Sequence, residues 1–196
     1  MKVSLVCNGR FHHFHLARQL ERHGLLKEII TGYPRFKLRD EQGIPSEKIV
    51  SYPWFHASYM FALSKGLARC PNLQDRWALL AKQALDRFAC RRLAGVDVLV
   101  GLSGSATKAG RRIQQQGGRF ICDRGSSHIR YQNEILQEEH QRWGLTFRGI
   151  DPAAMQRELT EYGYADRITV PSDFVCQSFL RKDTSASKLR KVPYGA

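Results

Sequence analysis

Residues 96–130 read VDVLVGLSGSATKAGRRIQQQGGRFICDRGSSHIR, and the order of pieces in this stretch decides the fold. Val96–Gly101 is a short, valine-rich apolar run of the kind that forms a buried strand. A glycine- and serine-rich turn, Gly101–Lys108, opens a helix predicted over Ser105–Gln116. Arg119–Asp123 is a second apolar run. It is followed by a second polar turn, Cys122–Arg130, and a helix predicted over Ile129–Arg142. Strand, polar turn, helix, strand is the repeat of a parallel sheet with helical crossovers.

The same alternation runs outward in both directions. Upstream, Lys2–Cys7 reads as a strand, NGRF as a turn, and His12–His23 as a helix ended by Gly24. LKEIITGYP and Lys48–Pro53 read as the second and third strands. A long helical region follows, broken by Pro71. In its second part Leu73, Trp77, Leu80, Ala81, Ala84, Leu85 and Phe88 recur at helical spacing and predict one apolar face. Downstream, Asp151-Pro152 supplies an N-cap and a proline at the first helical position. Arg167–Pro171 is the sixth strand, Ser172 caps a short helix, and KLRKVP is the seventh strand. The fold class is therefore α/β: a Rossmann-like parallel sheet with helices on both faces, one domain over residues 1–196. In such sheets ligands bind outside the C-terminal ends of the strands.

With 42% hydrophobic and 25% charged residues the chain has enough apolar material for a core. No apolar run approaches the ~20 residues of a membrane span. Five cysteines, Cys7, Cys70, Cys90, Cys122 and Cys176, are scattered with no CxxC pair, so neither a zinc site nor a disulfide framework is indicated. Cys7 and Cys122 sit in apolar runs and read as buried thiols of a reducing cytosol, which predicts a cytoplasmic protein. The net charge of +13 points to an anionic partner, or simply to a well-solvated surface.

Three polar turns follow predicted strand ends. In Cys7–His15, Asn8 and Gly9 permit a tight turn and close approach of a ligand, and His12, His13 and His15 crowd it. His12 and His13 are adjacent and expected to point apart, with no carboxylate nearby in sequence, so no metal is expected there. In Gly101–Lys108, Ser103 and Ser105 offer hydroxyls at a helix start, but the GK[ST] end of a P-loop is missing. In Cys122–Arg130, Asp123, Arg124, Ser126, Ser127 and His128 bring an acid, a cation, hydroxyls and an imidazole together, as a polyhydroxylated ligand would require. The plainer alternative is that Ser127 caps the helix and Asp123 pairs with Arg124.

The chain resembles the N-terminal domain of glycosyltransferase family 4. The match lies in EYGYADRITVPSDFVCQSFL, through Glu161, Ala165, Asp166, Ser172 and Phe174, and in KLRKVPYGA, through Val192, Pro193 and Gly195. The resemblance implies the acceptor-binding half of a GT-B fold, with V-P-x-G leading into a donor-binding domain that this chain does not carry. It implies sugar transfer from a nucleotide-sugar donor to an acceptor hydroxyl with retention, in polysaccharide or glycolipid synthesis, without metal or other cofactor. It implies a catalytic role for His128 or Arg124 and places Gly9 near the donor diphosphate; the polar turns themselves supply Asp123 as a further catalytic candidate and Asn8, His12, His13, Ser103, Ser105 and Ser126 as ligand contacts. The acceptor would be a saccharide or lipid-linked saccharide, and this fragment alone would be inactive.

Two further readings belong to the charge. A basic nucleic-acid-binding module is the alternative function, but no nucleic-acid motif is present, and no specific nucleic acid is expected. Trp54, Phe55, Tyr59, Met60 and Phe61 lie close in sequence to Lys65, Arg69 and Arg76, which suits a peripheral site on an anionic membrane. The alternative is that these aromatics are core.

Overall fold

The computed structural model describes residues 1–66 and 70–194; Arg69 and Gly195, used above, lie outside the described residues. The described residues form one seven-stranded sheet, all parallel. In chain order its strands are β1 (Val3–Cys7), β2 (Leu26–Thr31), β3 (Ile49–Ser51), β4 (Val98–Leu102), β5 (Arg119–Asp123), β6 (Arg167–Val170) and β7 (Leu189–Lys191). The spatial order is β3-β2-β1-β4-β5-β6-β7. The chain therefore works outward from β1 to one edge, returns, and works outward from β4 to the other. The switch point lies between β1 and β4, where a ligand crevice opens in such sheets.

The helices are α1 (His13–Arg22), α2 (Trp54–Ser64), α3 (Pro71–Cys90), α4 (Thr107–Gln115), α5 (Ile129–Arg142), α6 (Pro152–Tyr164) and α7 (Asp173–Leu180). Successive strand residues feed opposite faces. Leu5, Ile29 and Val100 pack beneath α1 with Phe14 and Ala17. Val6, Ile30 and Leu99 pack on the other side with Leu85, Ile113, Tyr162 and Phe179. Burial on both faces is why these strands read as continuous apolar runs rather than alternating ones. Cys7 and Cys122 are buried free thiols, as the sequence suggests, and burial pushes Cys7 up to about 12.

Gly110 lets α4 lie against β5: a Cβ there would sit 2.8 Å from the Phe120 ring. Two departures from the sequence reading concern α2 and α3. Leu73 and Leu80, placed on the buried face of α3 by spacing, are 49% and 50% exposed. The face that packs on the sheet is carried by Ala81, Leu85 and Ala89, while the first turns of α3 extend beyond the core and pack on α2. The core alternative for the aromatics also fails at Trp54, Phe55, Met60 and Phe61, which are exposed on α2.

Candidate functional site

The turns after β1, β4 and β5 meet at the switch point and line a cleft of about 510 Å³. Its wall includes Asn8, Phe11 and His12 from the first turn, Leu102 and Ser103 from the second, and Arg124, Gly125 and Ser126 from the third. His56 and Tyr59 of α2, Ala78 and Lys82 of α3, Glu158 of α6 and Tyr194 complete it.

At the centre His12 Nε2 hydrogen-bonds Asp123 Oδ2, joining the first loop to the end of β5. The other oxygen of Asp123 accepts from Thr169 Oγ1 at 2.5 Å. Burial raises the Asp123 carboxyl, but hydrogen bonds from His12 and Thr169 and the neighbouring imidazoles outweigh it, so it stays below its ordinary range. His13 is fully buried, with Nε2 3.5 Å from Asp123 Oδ2 and no hydrogen-bond partner for either ring nitrogen. Burial lowers it to about 4, which keeps the ring neutral. The two imidazoles do not point apart as expected: their centroids are 4.5 Å apart, and the missing carboxylate is Asp123, distant in sequence. The three side chains place ligand atoms within 4.8 Å of one another, a set that could hold a divalent cation. The Tyr194 ring lies tilted against His12, with centroids 4.3 Å apart.

Arg124 is tethered on every side. Nη1 meets Glu158 Oε2 at 2.5 Å, Nη2 meets Gln132 Oε1 at 2.7 Å, and Nε donates to the Ser127 carbonyl at 3.1 Å. Glu158 Oε2 also accepts from Ser103 Oγ and Tyr162 OH, both at 2.8 Å. Burial raises this carboxyl, yet the Arg124 and Lys82 charges hold it below the usual carboxylate range. Lys82 approaches Glu158 Oε1 at 3.8 Å and remains partly exposed in the cleft.

The remaining residues predicted for the site divide. Asn8, with an unpartnered Oδ1, faces the cleft, and Ser126 lies exposed on its rim. Gly9 is buried beneath Phe11, whose ring lies 2.9 Å from where a Cβ would stand. Ser105 is fully buried and does not line the cleft. His128 is the larger departure. It is the N-cap of α5, its Nδ1 accepting from Arg130 N at 3.3 Å, and its ring packs between Tyr162 and Phe179. Burial and the Arg124, Arg130 and Lys182 charges lower it to about 4. The structure thus places His128 behind the cleft wall and His12 in it. The plainer alternative for this loop is also replaced: His128, not Ser127, caps the helix, and Asp123 pairs with His12 rather than Arg124.

Glu161 and Asp166 hold the scaffold. Fully buried Glu161 accepts from Gly104 N, Ala106 N and Thr107 Oγ1 at 2.6, 3.0 and 2.8 Å, and burial lifts it to about 7. Asp166 accepts from Phe120 N at 2.9 Å and Gln114 Nε2 at 2.7 Å. On α3, Asp86 accepts from the Lys108 and Ala109 amides and from Arg157 Nη2, fixing the start of α4. Sequence reasoning missed Glu158, Lys82, His56 and Tyr59, which reach the cleft from helices with no local motif. Glu158 lies three residues before Glu161 on the same helix, the spacing that puts both on one face.

Among solved structures, TcCGT1 in complex with UDP superposes with a TM-score of 0.61 at 9% identity, over 97% of this chain and 50% of that one. LpCGTa in complex with UDP gives 0.57 at 13% identity, over 100% and 53%. A putative UDP-N-acetylglucosamine 2-epimerase from Listeria monocytogenes gives 0.54 at 10%, over 96% and 44%. The fold matches a Rossmann-like half of a GT-B fold. The chain spans about half the length of these structures, and at such identities the likeness is one of fold. It does not single out family 4. No family model matches the chain, and no curated protein matches it.

Proposed function

We propose that this chain is the acceptor-binding half of a glycosyltransferase that moves a sugar from a nucleoside diphosphate sugar to an acceptor hydroxyl. The observation that carries the reading is the His12–Asp123 pair in a cleft at the switch point of a GT-B half. With Nε2–H donated to Asp123, Nδ1 of His12 keeps a lone pair, and the buried carboxylate holds the ring and offsets the imidazolium that forms. An acceptor hydroxyl at Nδ1 gives up its proton there as its oxygen bonds to the anomeric carbon. The bond from that carbon to the diphosphate breaks, and its electron pair leaves with the diphosphate. Lys82, with Arg124 behind it, supplies positive charge in the cleft, where it offsets developing negative charge. Asn8, Ser103 and Ser126 offer polar groups for saccharide hydroxyls.

An acceptor base suits direct displacement with inversion. The retention implied by the family resemblance would instead have the leaving phosphate take the proton. The donor is assigned mainly to a second domain, so the 196-residue chain alone is expected to bind acceptor and turn nothing over.

The test uses the purified chain. Alkyl glycosides titrated into it should shift the His12 ring resonances, and His12→Ala or Asp123→Ala should weaken glycoside binding. UDP-sugar turnover by the chain itself, or glycoside binding indifferent to both substitutions, would sink the reading.

A further inference from the structure

α2 carries large apolar side chains on several sides, and only Ala62 of its residues is buried. Trp54 is 76% exposed, Phe61 59%, Met60 50% and Phe55 42%. On the neighbouring α3, Leu73 and Leu80 are exposed on one helical face. Arg76 and Arg87 fall on that same face by spacing and are exposed, and exposed Lys65 follows α2 directly. Between Glu47 and Asp75 the sequence has no acidic residue, and Asp75 is paired with Arg148 at 2.6 Å. A cluster of large apolar side chains bordered by cations and lacking acids is rare on a freely solvated surface.

We propose that the α2–α3 face docks on the anionic surface of a lipid bilayer and presents the cleft to an acceptor carried in that bilayer. The charge decides between occupants. A chain of net charge +13 would repel a second copy of itself, whereas anionic headgroups attract Lys65, Arg76 and Arg87 while the aromatics enter the headgroup and acyl boundary. An indole ring settles at such an interface because its body is apolar and its N–H is polar. Geometry joins the face to the site: His56 and Tyr59 of α2, and Ala78 and Lys82 of α3, line the cleft. A lipid-linked saccharide held in the bilayer would reach His12 past these side chains. No helix among the described residues is long and apolar enough to cross a membrane, so the contact is by one face. The docking stands on the surface itself; the acceptor class rests on the glycosyl-transfer reading.

The experiment is co-sedimentation of the chain with phosphatidylcholine vesicles, with and without phosphatidylglycerol. Wild type should bind the anionic vesicles, and added salt should release it. Trp54→Ser/Phe61→Ser should reduce partitioning by roughly tenfold or more, since burying one aromatic is worth a factor of that order. Lys65→Glu/Arg76→Glu, which touches no apolar packing, should also reduce it. Circular dichroism confirms that both variants fold. Absence of binding, equal binding to neutral vesicles, or unchanged binding by Trp54→Ser/Phe61→Ser overturns the docking. A dimer in size-exclusion chromatography that the same variant dissolves would assign the face to a second copy and overturn it too. Glycoside binding in solution keeps the two proposals apart. Docking lost with glycoside binding intact defeats only this inference; the reverse defeats the glycosyl-transfer reading, and the bilayer-borne acceptor with it, and leaves the docking standing.

Discussion

Replacing Glu158 with alanine should destabilise the fold more than any other single change in the cleft wall. Its side chain is 7% exposed and that of Arg124 10%, so the pair lies almost entirely out of water. Glu158 Oε2 takes Arg124 Nη1 at 2.5 Å together with the hydroxyls of Ser103 and Tyr162. Removing the carboxylate leaves a buried guanidinium without its counter-charge, a loss of about 3–5 kcal/mol. For a chain of this size that lowers Tm by roughly 6–20 °C. Arg124→Met/Glu158→Leu removes both charges and should recover most of the loss, because an apolar pair of similar volume replaces an ion pair at little net cost. The sign of the pH dependence follows from the lowered Glu158 carboxyl. Its stabilisation is present above the unfolded carboxylate range and is lost as pH falls through the lower, folded value, so wild type and Glu158→Ala should converge in acid. Urea denaturation followed by far-UV circular dichroism, at neutral and acid pH, measures all of this. A Glu158→Ala loss under about 1 kcal/mol, or strictly additive single changes in the double variant, would refute the account of this pair.

Gly110→Ala should destabilise by about 1–3 kcal/mol because its Cβ would press on the fully buried Phe120 ring. Gly163→Ala in α6 meets nothing within 4 Å and should stabilise by up to about 1 kcal/mol; matched thermal melts would show opposite shifts. His128→Ala should cost about 1 kcal/mol or more through the lost cap and packing, yet leave glycoside binding unchanged. Because the folded His128 pKa is lowered to about 4, its contribution is present above the ordinary imidazole range and is lost as pH falls through that range towards 4. His128→Asn, which keeps a capping side chain, should therefore flatten the stability profile there; an unchanged slope would contradict the burial of that imidazole.

Much of the fold was legible in the sequence because each element carries its own signal. Val3–Cys7 and Val98–Leu102 are dense apolar runs since a parallel strand is buried on both faces. Asp151-Pro152 and Ser172 mark helix starts through local hydrogen bonding, and the structure shows both caps at work. Alternation of such elements leaves little besides a parallel sheet. The three turns that meet at the cleft were legible too, because parallel strands bring their C-terminal ends to one edge.

The pairing of side chains within those turns was not. His12 and Asp123 are separated by 111 positions, and nothing local tells Asp123 to choose His12 over its neighbour Arg124. That choice was made when β1 and β5 came to flank β4, and when α6 brought Glu158 to Arg124. His128 looks like a site residue in sequence because imidazoles cap helices and serve catalysis with the same ring nitrogens. Only the packing of Tyr162 and Phe179 around it settles which of the two it does. The apolar spacing along α3 likewise fixes a helix face but not what covers it. Leu73 and Leu80 reach solvent because the stripe that packs on the sheet is the one through Leu85 and Ala89, turned away from them around the helix, and which stripe faces the sheet is decided by tertiary structure alone.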